Sequence, residues 1–108
     1  MNIYNKSSLI KFYSKVGAAK IALEIWYEEV ESKIWKTPNQ LKQEYRGNIS
    51  VLKNNRVVFN IKRNDYSLVA AINYENKWLF IKFIGTHNEY DKIDANTIDQ
   101  FKTKNKKK

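Results

Sequence analysis

The segment FIGTHNEYDKID, residues 83–94, sets the only histidine of the chain in polar surroundings directly after a hydrophobic run. Histidine is the side chain whose ordinary titration lies nearest neutral pH, so His87 is the residue best suited to carry a proton there. Tyr90 follows with a phenol that can orient or exchange a proton, and Asp91 and Lys92 come directly after it. A plainer reading stands beside this one. An isolated histidine after a strand commonly makes an ordinary hydrogen bond or turn. Asp91 and Asp94 can act simply as caps, Asp94 opening a short helix through Ile98 and Phe101.

The elements that must hold these residues divide the chain into a helical part and a sheet part. Leu23, Trp26, Tyr27, Val30 and Ile34 recur at three- and four-residue steps, and Ala19 and Ala22 widen the stripe, which predicts an amphipathic helix. Glu24, Glu28, Glu31 and Lys33 fall mostly on its other faces, as a solvated surface and not a carboxylate cluster. Ser7 or Ser8 can cap a shorter helix ahead of it, running through Lys15, with Gly17 at the break. Thr37-Pro38-Asn39 ends the long helix, and residues 40–46 are read as one more turn.

From Val57 the pattern changes. VVFNIK, YSLVAAINY and WLFIKFIG are rich in β-branched and aromatic residues and predict three strands, with ISVL at 49–52 as a further short one. Residues 62–65 and 75–77 are short enough for hairpin loops, so neighbouring strands are antiparallel. Strict alternation puts Leu79, Ile81 and Phe83 on one face and Trp78, Phe80, Lys82 and Ile84 on the other, and sets Val57, Phe59 and Ile61 against Val58, Asn60 and Lys62. The first face is expected on the helices. The second, partly apolar and carrying Lys82 and Lys62, is expected to meet a partner; an edge lysine that snorkels is the alternative.

Composition bounds what the whole can be. The chain has 108 residues, of which 43% are hydrophobic and 14% aromatic, enough for one core: a single domain over 1–101 is expected. Absence of cysteine rules out disulfides and thiolate metal sites, one histidine leaves little for zinc, and no cofactor is expected. MNIYNKSSLIKFYSK lacks the apolar core of a signal peptide, and no stretch approaches a membrane span, so the cytoplasm is the expected compartment. A net charge of +9 attracts polyanions, either nucleic acid or an acidic protein. Part of it comes from KTKNKKK at 102–108, read as a disordered basic tail.

VFNIKRNDYSLVAAINYENKWLFIKFIGTHNEYDKID closely resembles the signature region of HigB toxins, members of the RelE/ParE-like superfamily of bacterial type II toxin-antitoxin systems. Four pieces carry the resemblance: VFNIK entering a hairpin, Y.LV..INY in the next strand, the aromatic-aliphatic strand, and GTH.EYDKI at its end. It implies an α+β, RelE-like fold, with two N-terminal helices packed on a small twisted antiparallel sheet of three to four strands and a short C-terminal helix. The activity implied is metal-independent cleavage of mRNA on the translating ribosome, silenced by a cognate HigA-like antitoxin. In such a reaction a ribose 2′-hydroxyl attacks the adjacent phosphate in line, and the leaving 5′-oxygen must be protonated. For that reaction His87 and Tyr90 are expected to handle the protons and Arg63 and Lys62 to stabilise the phosphorane; Arg56, Lys82 and Lys92 are expected to bind RNA phosphates.

The chain departs from the family pattern at one place. Members usually read close to NIKGNKYRLV where this sequence reads NIKRNDYSLV, so Ser67 stands for an arginine, Asp65 for a lysine, and Arg63 for a glycine. Arg63 can return a guanidinium to the same neighbourhood. The competing expectation is a ParE-like or non-catalytic toxin that acts by binding protein or RNA, for which His87 and Tyr90 would not be needed.

Overall fold

The computed structural model describes residues 1–101; the expected basic tail at 102–108 lies outside the described residues. Its elements are β1 (Asn2–Ile3), α1 (Lys6–Lys15), a 3-10 turn (Gly17–Ala19), α2 (Lys20–Glu31), α3 (Pro38–Tyr45), β2 (Ile49–Val51), β3 (Arg56–Ile61), β4 (Tyr66–Asn73), β5 (Trp78–Thr86) and α4 (His87–Tyr90). The strands form one sheet in the order β1-β5-β4-β3-β2. The class is α+β, as expected, and the sheet differs from expectation in two details. The sheet has five strands, and β1 pairs with β5 in parallel while every other pairing is antiparallel. No helix among the described residues is long and apolar enough to cross a membrane.

The helical layer holds one more helix than expected, because Pro38 begins an element and does not end one. Thr37 is extended at the N-cap and its side chain accepts a hydrogen bond from Gln40 N, while Pro38 occupies the first turn, where its missing N–H costs nothing. The stripe of α2 also stops sooner than its periodicity implied. The helix ends at Glu31, Ile34 is exposed, and Trp35 turns inward instead, its indole N–H donating to Glu44 Oε1 at 2.9 Å. Asn5, not a serine, precedes α1, and its side chain makes no cap bond.

The core between helices and sheet gathers Leu9, Leu23, Trp26, Val30 and Trp35 against Val57, Phe59, Ile61, Leu68, Leu79 and Ile81. Trp26 and Phe59 meet edge to face at 5.4 Å. On β5 the expected alternation fails after Ile81. Val69 is level with Phe83 and Ala70 with Ile81, so Lys82 is an extra residue in the ladder, a β-bulge. Each residue after the bulge changes side. Ile84 joins the helix-side core, and Phe83 crosses to the second face.

That second face is not left for a partner over its centre. Val58, Val69 and Phe83 pack with Ala95, and Leu52, Tyr90, Ile93 and Ile98 surround them, so the chain after β5 folds back as a cover. The short helix expected from Asp94 is a turn. Asp94 Oδ1 accepts from Asn96 N, Asp94 O accepts from Thr97 N and Ile98 N, and the helical turn lies earlier, at His87–Tyr90. The exposed edge of β5 is closed by Asn5 and Gln100. The Asn5 amide bonds both N and O of Ile81 at 2.9 Å, while Gln100 donates its backbone N–H to Lys82 O and accepts from Ile84 N at Oε1.

Candidate functional site

Three residues of GTHNEY build the corner on which the others stand. A Cβ on Gly85 would fall 2.6 Å from Phe83 Cζ and 2.9 Å from Glu89 Oε1, so only glycine lets the Phe83 ring and the Glu89 carboxylate close over the strand end. Thr86 is the N-cap of α4: its hydroxyl accepts from Glu89 N, and Glu89 Oε1 accepts from Thr86 N, a capping box. A four-residue helix would be marginal alone. This box and the seating of Tyr90 on Phe83, ring centres 6.4 Å apart, hold it in place.

On that turn His87 and Tyr90 come together. Their rings are near parallel, 25° apart, with centres at 6.5 Å. His87 Nε2 lies 3.7 Å from Asp91 Oδ2 one helical turn on, and both side chains are 59% exposed, open to a ligand. Asp91 is therefore more than a cap. The signal was present as the four-residue spacing of His87 and Asp91, which faces the two along a helix only if residues 87–91 are helical.

The backbone N–H of His87 donates to Asp65 O at 3.2 Å, which ties α4 to the β3–β4 hairpin loop. That loop presents Lys62 and Arg63, both exposed. Their φ angles are +52° and +62°, the left-handed region that costs a residue with a Cβ roughly 1–2 kcal/mol. The glycine that the resemblance leads one to expect at position 63 would be unstrained there, and an arginine occupies it. Ser67 is buried, level with Asn60 on one side and Gly85 on the other, so the missing strand arginine would have stood on the second face beside the His87 corner.

The expected RNA-binding residues do not form one patch. Lys92 is exposed directly beyond α4. Arg56 sits at the far end of β3, half-buried, where its guanidinium donates to Ala95 O (3.1 Å) and Ile98 O (2.7 Å) and latches the covering segment. Lys82, on the bulge, lies 3.6 Å from Asp99. Two cations were missed: Lys11 and Lys15, one turn apart on α1, line a groove of about 420 Å³ with Phe12, Thr86, Glu89 and Phe101, beside the capping box. Nothing in α1 by itself marks them, because their nearness to Thr86 depends on how the helix lies on β5.

The family model described as the RelE-like toxic component of a toxin-antitoxin system, HigB toxin, matches residues 19–93. The chain belongs to the HigB toxin family. The match spans α2 through α4 and so includes the His87 corner, the hairpin loop and the strands that join them. Among curated relatives, the chain is similar to a protein of Escherichia coli O6:H1 named mRNA interferase HigB, 28% identical over 95 residues, covering 86% of this chain and 91% of that one. The HigB-type fold therefore carries a toxin of a toxin-antitoxin system here, and the five-stranded sheet is the frame on which its candidate site stands.

Proposed function

We propose that this HigB-family protein is an mRNA interferase, a metal-independent endoribonuclease acting on mRNA in the translating ribosome and neutralised by a HigA-like antitoxin. The observation that carries the reading is the joining of His87 and Tyr90, stacked on one turn, to the cationic loop of Lys62 and Arg63 through the His87–Asp65 backbone bond. A scissile phosphate held by Arg63 and Lys62 has its in-line attacker and leaving group on opposite sides, and a proton must leave one and reach the other. His87 takes or gives that proton, with Asp91 Oδ2 3.7 Å from Nε2 to orient the imidazole, and Tyr90 shares the transfer. Lys92 and the α1 lysines extend the positive surface for flanking phosphates. The products are a 2′,3′-cyclic phosphate and a 5′-hydroxyl end.

The test is cleavage of a defined mRNA on programmed ribosomes by wild-type protein, His87→Ala and Tyr90→Phe. Each substitution should slow cutting by about 10²–10⁴-fold, as for a lost acid or base, with thermal unfolding nearly unchanged. Folded His87→Ala that cuts at the wild-type rate would remove the histidine from the chemistry. A wild-type protein that leaves no 5′-hydroxyl ends would point to a toxin that acts by binding alone.

A further inference from the structure

At the opposite end of β5 from His87, three aromatic side chains stand together on the second face, beyond the reach of the covering segment. Trp78 and Phe80 alternate along the strand, and their rings are 27° from parallel with centres 6.4 Å apart. Tyr4, just after β1, leans on both, at 6.1 Å from Trp78 and 5.1 Å from Phe80. The parallel pairing of β1 with Trp78 and Leu79 is what brings it there. Yet Tyr4 is 68% exposed and Trp78 39%, while Trp26 and Trp35, the other two tryptophans, are buried. The rings touch one another, and Tyr4 and Trp78 keep part of their surface in water while doing so.

Cations flank this ladder. Lys82 Nζ lies 5.9 Å from the centre of the Phe80 ring and is held by Asp99 only at 3.6 Å, and exposed Lys77 directly precedes Trp78. Flat π surfaces of fixed orientation interleaved with lysines are the arrangement that binds single strands, because every base has a face to stack and every linkage a phosphate to neutralise. An acidic peptide would be served by the lysines but would leave the ring faces unused.

We propose that Tyr4, Trp78 and Phe80, with Lys77 and Lys82, form a stacking platform for unpaired bases of RNA, separate from the cleavage corner and at the other end of the same strand. This rests on the reading of the protein as one that handles mRNA. The platform holds a strand by base stacking without selecting its sequence, while the His87 corner acts on a phosphate some distance along it.

Because Trp78 is the exposed tryptophan, its emission reports contact. The full chain is titrated with a fluorescently labelled 2′-O-methyl oligouridine, which lacks the attacking hydroxyl and cannot be cut, reading tryptophan emission and oligonucleotide anisotropy together, with a duplex of equal length beside it. Saturation should quench emission with the single strand and not with the duplex. Trp78→Leu and Tyr4→Ala should each weaken binding by about 5- to 150-fold, the range for one lost stack, and Trp78→Phe should keep most of it. Unquenched emission at saturation, equal quenching by the duplex, or unchanged affinity of both variants would overturn the platform. Quenching by polyglutamate but not by the oligonucleotide would do so as well, and make the patch a protein-binding surface. Wild-type cleavage of mRNA is assayed separately: cutting without Trp78 contact sinks the platform alone, and contact without cutting sinks the nuclease reading alone.

Discussion

Replacing Gly85 with alanine adds one methyl at the point where the fold and the candidate chemistry meet. The new carbon would stand 2.6 Å from Phe83 Cζ and 2.9 Å from Glu89 Oε1, so both must yield. Glu89 can swing away only by giving up its 2.8 Å bond from Thr86 N, half of the capping box, at about 1 kcal/mol. Phe83 is buried against Val58, Val69 and Ala95, with Tyr90 resting on it, so moving its ring repacks the second core, an overpacking cost of about 1–3 kcal/mol. Together Gly85→Ala should destabilise by about 2–4 kcal/mol, enough to lower the melting temperature by roughly 10 °C or more in a domain of this size. Activity should suffer beyond that. Tyr90 is seated on Phe83 and His87 is stacked on Tyr90, so a shift on the order of 1 Å passes to the proton-handling pair and should cost about 10²-fold in cleavage. Melting curves and mRNA cleavage, the latter at a temperature where both proteins are folded, measure the two effects. Adding Phe83→Leu, which removes Cζ, should recover part of the loss. A Gly85→Ala protein within about 0.5 kcal/mol of wild type and cutting at the same rate would refute this account of the corner.

Other perturbations separate strain, latch and charge. Arg63→Gly relieves a side chain held at φ +62° and should raise the urea midpoint, worth up to about 1 kcal/mol, while lowering cleavage; a fall in stability would show the arginine to be holding the loop instead. Arg56→Ala frees the carbonyls of Ala95 and Ile98 and should cost about 1.5 kcal/mol, seen as faster hydrogen exchange over residues 94–98 before any change in the helices. The acid limb of stability should depend on Glu44, whose carboxyl is held below its ordinary value of 4.5 by Lys33 first and by the Trp35 indole second. With the folded value depressed, the unfolded chain takes up the proton more readily. The contribution is complete above 4.5 and vanishes as pH falls through the folded value, so Glu44→Gln should flatten the pH dependence of melting below pH 4.5.

Where the sequence was legible, local physics decided the structure. The hairpins at 62–65 and 74–77 follow from polar residues between β-branched runs, and the α2 stripe from its period. What escaped it turned on contacts distant in sequence or on segments apolar on both sides. WLFIKFI reads equally well in either phase, so nothing local marks Lys82 as a bulge; the register is chosen by how β4 and the covering segment pack. Two residues at 2–3 carry no strand signal of their own and become β1 only because Trp78 and Leu79 offer an open edge. The C-terminal cover was missed for a related reason. Ala95 and Ile98 are too sparse to announce an element, yet they fill the space over Val58, Val69 and Phe83.

The same division runs through GTHNEYDKI. Gly85, Thr86 and Glu89 are accounted for by close approach and capping, and would be needed at such a strand end whatever the protein did. His87 and Asp91 are not: both are exposed, and their side chains are engaged only in a 3.7 Å contact with each other and the stacking of His87 on Tyr90. Tyr90 lies between the two groups, half in the second core and half against His87. The glycine, the cap and the buried phenylalanine thus fix a corner that holds two exposed titratable groups near a pair of left-handed cationic residues. Left-handed backbone alone does not set Arg63 apart, because Asn54, Asn55 and Lys77 share it; what does is its place on the loop whose Asp65 carbonyl accepts the His87 N–H.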